Sequence, residues 1–173
     1  VRDVATRTTG PVAPEVERRL ADIGYLEVAL GTGEVDMVGC FRALKEIGYE
    51  LGRIFQIRDD VLGVWGGEAT GKPVGADIKR KKKALPAVHA LSTSEGTSAK
   101  RLNEIFQTEG DLDEEDVHVV LEVMEKLGTQ EYCQSMAEER WLTGRRMIES
   151  LGLSGGASAE FIELGEFLLV RES

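Results

Sequence analysis

Two adjacent carboxylates, Asp59 and Asp60, sit in the stretch FQIRDDVLGVWG that starts at Phe55. If this stretch is helical, Gln56, Asp59, Asp60 and Gly63 share one face, because steps of three and four residues bring helical side chains together. Two carboxylates with an amide one turn earlier make a patch of oxygen ligands. Hard divalent cations such as Mg2+ prefer oxygen, and where protein ligands are few they keep waters and phosphate oxygens. Alone, adjacent acids usually form a solvated face. Here Ile54, Phe55, Ile57, Val61 and Leu62 flank them, so the helix is expected to be buried on more than one side. A buried carboxylate without a partner is costly, and a cation is the expected partner.

Bases follow the acids. The loop GGEATGKPVGA over residues 66–76 carries Lys72 between Gly71 and Pro73. Loops of this composition can bring backbone N–H groups and a lysine to a phosphate, although the spacing is not that of a P-loop, which needs GxxxxGK before Ser or Thr. Next comes Lys79-Arg80-Lys81-Lys82-Lys83. On a helix, Lys79 and Lys82 share a face with Lys83, while Leu85, Val88 and His89 pack elsewhere. Each feature alone is weak, since a charge run is usually a solvated face. Together they form an acid pair, a glycine-flanked lysine twelve residues past Asp60, and lysines ten residues later. Acids that hold a metal against a phosphate, with lysines neutralising the rest, suit a diphosphate ligand.

Other candidate residues read as structural. His89 and His118 have no partner at catalytic spacing. Cys40 and Cys133 lie far apart with no metal-ligand spacing, so both are expected to be core thiols of a protein in a reducing cytoplasm. The net charge of −10 argues against a general nucleic-acid binder, which needs Lys and Arg in excess. No run of 18 apolar residues and no signal-peptide pattern occurs.

The elements that must position these groups are helical. Hydrophobic residues make up 42% and charged residues 30%, with four prolines in 173 residues, which suits a globular helical chain of one domain. Residues 1–14 read as irregular, with Gly10-Pro11 and Pro14 as breakers, and 15–173 as a single all-α domain. The opening at Val1 leaves two readings, a portion of a longer protein or a chain with parts left out. A first helix from Glu15 carries Val16, Leu20, Ile23, Leu26 and Leu30 inward and ends at Gly31-Thr32-Gly33. A long helix over about 35–64 follows, with a stripe of Met37, Phe41, Leu44, Gly48, Leu51, Phe55, Arg58, Leu62 and Trp65. Gly48 and Gly52 suggest close packing of another helix on that side. Asp77 is expected to cap a helix of roughly 79–92. A further helix begins at Thr97 or Ser98, with Leu102, Ile105 and Phe106 on one face and Gly110 as its stop. Asp111 or Asp113 caps the next, whose buried stripe is Val117, Val120, Leu121, Met124 and Leu127. Helices over about 130–151 and from the 152–156 break to the C-terminus complete about seven, all-α and without strands.

The stretch FQIRDDVLGVWG…TGKPVGADIKRKKKALP resembles the second aspartate-rich motif and following loop of the trans-isoprenyl diphosphate synthases, or polyprenyl synthetases. The match runs through Phe55-Gln56, Asp59-Asp60, Gly71-Lys72, Gly75, Asp77-Ile78, Lys82-Lys83 and Leu85-Pro86. The acidic helix start near Asp113 and the terminal FLLVRES are also similar to the family. The resemblance covers about 20–173, most specifically 48–90. It implies an all-α bundle around a deep central cavity, a cytoplasmic homodimer, and Mg2+-dependent head-to-tail transfer. In that reaction an allylic prenyl diphosphate ionises, isopentenyl diphosphate attacks the allylic cation, and a proton is lost. By position, Asp59 and Asp60 would hold Mg2+, Lys72, Lys82 and Lys83 would meet the diphosphate, and Phe55 and Gln56 would line the site. The sequence departs from the pattern in three ways. Gly63 replaces the third acid of DDxxD, as in family members that read DDxLG. Ala84 replaces the usual Thr or Ser before Leu-Pro. No DDxxD or DDxxxxD, and none of its adjoining Arg-Arg or Lys-Thr pair, occurs before residue 55. The chain therefore matches about the C-terminal half of such an enzyme. The alternative is a non-catalytic relative or partner subunit that binds diphosphate or another chain, and the plainest reading is an all-α interaction domain with surface salt bridges.

Overall fold

The computed structural model describes residues 37–67, 71, 73–153 and 155–171. The helix expected from Glu15, the irregular opening and Lys72 lie outside the described residues. Among those described, seven helices and no strand occur: α1 Met37–Trp65, α2 Ala76–Lys79, α3 Leu85–Thr93, α4 Gly96–Gln107, α5 Glu114–Lys126, α6 Thr129–Ser150 and α7 Gly155–Val170. No described helix is long and apolar enough to cross a membrane. The described backbone divides into two compact units, one within residues 53–139 and 168–171 and one within 37–52 and 140–167.

The first of these units holds every described residue of the expected site. Its main core gathers Val64, Ile78, Ala87, Ala90, Leu102, Ile105, Leu112, Val120 and Met124. A smaller cluster of Ile57, Val61, Cys133 and Ala137 takes Leu169 against its edge. Burial of such aliphatic side chains, at roughly 1.5–3 kcal/mol each, is what fixes the helices around the polar groups between them. Asp113 caps α5 by accepting from the Asp116 backbone N–H at 2.8 Å, and Glu114, Glu115 and Asp116 fill the first turn, where negative charge is favoured. In the other unit, Ile47, Trp141 and Ile148 are buried. Gly165 lies where any Cβ would overlap the Trp141 ring.

Two sequence expectations are corrected. The inward face of α1 is not the heptad-spaced stripe. Cys40, Ile47, Leu51, Ile54, Ile57, Val61 and Val64 are buried, whereas Phe41 is 53% and Phe55 44% exposed. The helix carries apolar residues on more than one side, so spacing alone does not choose between two interleaved sets. Gly48 and Gly52 have no neighbour within 4 Å of a Cβ position among the described residues.

The expected helix over 79–92 is two pieces. Gly75, at φ 78°, turns the chain into the single turn α2, and its N–H donates to the Val64 carbonyl at 2.8 Å. Lys81 then takes φ 52°, Ala84 is extended, and α3 starts with Pro86 in its first turn. A helix running through from 79 would put that proline in its interior, where it lacks an N–H and its ring clashes with the carbonyl four residues back. Asp77 makes no cap and lies inside α2. The cationic run is consequently split, and Lys79, Lys82 and Lys83 do not share a helical face.

Candidate functional site

Asp60 is the centre of the site. It sits on α1, 7% exposed, on the same turn as buried Ile57 and Val61. Three donors meet its carboxylate. Gln56 Nε2 donates to Oδ1 at 3.0 Å from one turn earlier. Lys82 Nζ donates to Oδ1 at 3.2 Å. The backbone N–H of Leu85, the first residue of α3, donates to Oδ2 at 3.1 Å. The buried acid thus has the cationic partner that burial demands, and it is a lysine of this chain.

Lys82 also donates to Asp77 Oδ2 at 2.9 Å. The ammonium therefore bridges an acid of α1 and an acid of α2. Its pKa is raised, chiefly by the hydrogen bond to Asp77, with Asp60 adding to this against an opposing effect of burial. Lys82 stays cationic around neutrality, and its side chain is 43% exposed.

Asp59 has different surroundings. Its side chain is 43% exposed, and Arg171 Nη2 lies 3.9 Å from Oδ1. The Arg171 guanidinium also sits over the Phe55 ring, 4.5 Å from its centroid. Arg58 donates to the Arg171 carbonyl at 2.7 Å and to Gln134 Oε1 at 3.0 Å. The end of the described chain is thereby tied to the turn of α1 that carries the acids. Lys83 is exposed, and Lys81 donates to the Thr108 carbonyl and hydroxyl. Among the described residues, no three His, Cys, Asp or Glu side chains gather as a metal site.

The structure brings together Gln56, Asp60 and Lys82, with Phe55 and Asp59 beside them on α1 under Arg171. Sequence reasoning missed three participants. Asp77 reads as a helix cap in the sequence, the Leu85 N–H leaves no side-chain signal, and Arg171 is legible only as part of a terminal motif. His89 hydrogen-bonds Thr129 at 3.0 Å and stacks on Tyr132. His118 is exposed beside Glu122. Cys40 and Cys133 are both buried and unbridged. Burial, with the Asp60 charge adding to it, pushes the Cys133 thiol up to about 11.

A family model described as polyprenyl synthetase matches residues 16–124. The chain belongs to the polyprenyl synthetase family. The chain is 38% identical over 99 residues to a geranylgeranyl diphosphate synthase of Mycobacterium tuberculosis, covering 57% of this chain and 28% of that one. It is 43% identical over 95 residues to a short chain isoprenyl diphosphate synthase of Methanocaldococcus jannaschii, covering 52% and 29%. In three dimensions it is similar to a polyprenyl synthetase from Streptomyces coelicolor A3(2), with a TM-score of 0.70, 29% identity, and coverage of 80% of this chain and 42% of that one. The chain thus spans well under half the length of these relatives. Its all-α architecture is that of the family.

Proposed function

We propose that this polyprenyl synthetase chain takes part in Mg2+-dependent prenyl transfer, lengthening an allylic prenyl diphosphate by condensation with isopentenyl diphosphate. The observation that carries the reading is the meeting of Asp60, buried and accepting three hydrogen bonds, with the ammonium of Lys82, whose side chain is partly exposed, at 3.2 Å. An acid and a base that share one spot at the edge of solvent can take a metal–diphosphate pair as a unit, one binding each half.

The donor set fits the ion. Asp59 and Asp60 offer oxygen alone, as Mg2+ requires, and two carboxylates leave room for the waters and phosphate oxygens it retains. Bound there, Mg2+ would stabilise the charge that develops on the departing diphosphate. The protein groups do the rest. Lys82 has three N–H donors and holds its positive charge, so it can turn one donor to a phosphate oxygen while still bonded to Asp77. Lys72 and Lys83 are assigned to the same diphosphate. Gln56 orients the Asp60 carboxylate, and Phe55 offers an apolar ring on the same face of the helix. The allylic C–O bond breaks with its electron pair leaving on the diphosphate. The isopentenyl double bond forms the new C–C bond, and a proton is lost. The working unit is assigned as a homodimer.

The test uses the intact protein. Thermal unfolding is followed with an allylic diphosphate, with and without Mg2+, and chain elongation is measured from labelled isopentenyl diphosphate. Stabilisation that requires Mg2+, together with elongated product, is expected. Pyrophosphate binding of equal strength with and without Mg2+ would refute the metal-bridged reading. Mg2+-dependent binding without product, coupled to co-purification with a longer synthase, would point instead to a partner subunit.

A further inference from the structure

We infer that Asp77 is the positioning residue of the site, anchoring Lys82 through a space that exists because residue 63 is glycine. This rests on the functional reading above. Gly63 is buried in the interior of α1, where glycine is a poor helix former. A Cβ built on it would lie 2.6 Å from Asp77 Cγ and overlap the carboxylate oxygen. The position that carries the third acid in DDxxD is therefore filled from outside the helix by another residue's carboxylate. The Gly75 turn brings it there. Its bond to the Val64 carbonyl pins the start of α2 to the end of α1, one residue beyond Gly63.

Asp77 holds Lys82 twice. Its carboxylate accepts from Lys82 Nζ at 2.9 Å, and its carbonyl accepts from the Lys82 backbone N–H at 2.9 Å. The side chain and main chain of one lysine are thereby closed onto one residue. A lysine side chain otherwise samples many rotamers, which must be frozen each time it binds. Asp77 is itself 7% exposed, so it is a fixed anchor and not a swinging surface acid.

The consequence concerns what Lys82 does when Asp60 is committed to a cation. Two positive charges cannot share one carboxylate oxygen without repulsion, so the ammonium must give up Asp60. With Asp77 in place it keeps one strong bond and pivots, ready to meet a diphosphate oxygen. Without Asp77 it has no retained partner and is lost to solvent. Asp77 acts through Lys82 and need not touch substrate.

Two measurements test this on the intact protein, with Mg2+ and inorganic pyrophosphate as the probe. The first is a thermal cycle without ligand. Gly63→Ala is expected to lower Tm by roughly 5 °C despite alanine's better helix propensity, as overpacking does. In an Asp77→Gly background the same substitution should leave Tm unchanged or raised. Equal effects in both backgrounds would overturn the assignment of the space. The second is a binding cycle. Asp77→Asn, nearly isosteric, should weaken Mg2+-pyrophosphate binding about tenfold, the worth of a charged hydrogen bond. Lys82→Ala added to Asp77→Asn should cost little more. In turnover, the KM for the allylic diphosphate should rise about tenfold with the KM for isopentenyl diphosphate unchanged, a split that general loosening would not give. If Lys82→Ala weakens binding and Asp77→Asn does not, the anchor role is wrong while the functional reading stands. If wild-type protein fails to bind Mg2+-pyrophosphate, the functional reading falls and the role of Asp77 falls with it.

Discussion

Asp60→Asn separates what the acid does for the fold from what it does for a cation. In the wild type the carboxylate is 7% exposed and accepts from Gln56, Lys82 and the Leu85 N–H. Asparagine keeps the shape but replaces one oxygen by a donor. Whichever way the amide turns, its NH2 faces either the Leu85 N–H or the pair of Lys82 and Gln56. One buried donor then loses its acceptor, at about 1–3 kcal/mol, and the charge on the Lys82 bond is lost. Lys82 keeps Asp77, and its partial exposure screens the loss. The expected cost without ligand is about 2 kcal/mol, or a fall in Tm of about 4–8 °C for a protein of this size. The cation effect is read separately. A ligand at a hundred times its Kd stabilises wild type by about 2.7 kcal/mol, and Asp60→Asn should lose most of that gain with Mg2+-pyrophosphate. Circular dichroism melts of both proteins, with and without Mg2+-pyrophosphate, give all four numbers. An unliganded Tm within about 1 °C of wild type would refute the hydrogen-bond argument. A ligand-induced rise as large as in wild type would refute Asp60 as a cation ligand.

Other perturbations follow from the same contacts. Cys133 should make the protein alkali-sensitive. Its thiol is raised from 9.0 to about 11 in the folded state, so above pH 9 the unfolded thiol ionises first. Stability should fall by up to about 1.4 kcal/mol per pH unit until the folded thiol also ionises, and the difference between wild type and Cys133→Ala in urea unfolding from pH 8 to 11 reads it. Arg171→Ala should cost only about 1 kcal/mol in chemical denaturation, because the Asp59 pair is long and partly exposed and the Arg58 bond to the main-chain carbonyl at 171 survives. Asp113→Ala should cost about 1 kcal/mol through loss of the α5 cap, and Asp113→Asn much less. Gly165→Ala, which would drive a methyl into the Trp141 ring, should destabilise by at least about 1–3 kcal/mol and alter the near-ultraviolet signal of tryptophan.

The sequence made some features legible and hid others for physical reasons. The long helix carrying the acids, and its end near Trp65, were readable because apolar residues recur at helical steps through the stretch despite its glycines. The α5 start was readable because capping is local, with Asp113 and three acids in a row. The inward face of α1 was not readable, because isoleucines and large aromatics alternate around it and only the neighbours decide which set is buried. The break between α2 and α3 was readable in principle from Pro86, but the lysine run looked helical and masked it. Asp60 and Lys82 were legible as an acid for a metal and a base for a diphosphate, but not as direct partners. The Asp77 contact was not, because it depends on a missing Cβ at Gly63 and on a left-handed turn at Gly75. The C-terminal contact of Arg171 with α1 joins residues more than a hundred apart in the chain, a pairing that no local pattern encodes.

One of the three donors on Asp60 comes from the main chain, at Leu85. A main-chain amide is the same whatever side chain the residue carries, and proline alone would delete it. Changes at Gln56 or Lys82 can strip the other two donors, yet the acid stays tethered to the first turn of α3. The aim of this carboxylate is therefore insulated from drift in the residues around it. A change at Gln56 can then alter reach without the acid losing its place, while Lys82 supplies the charge that burial demands.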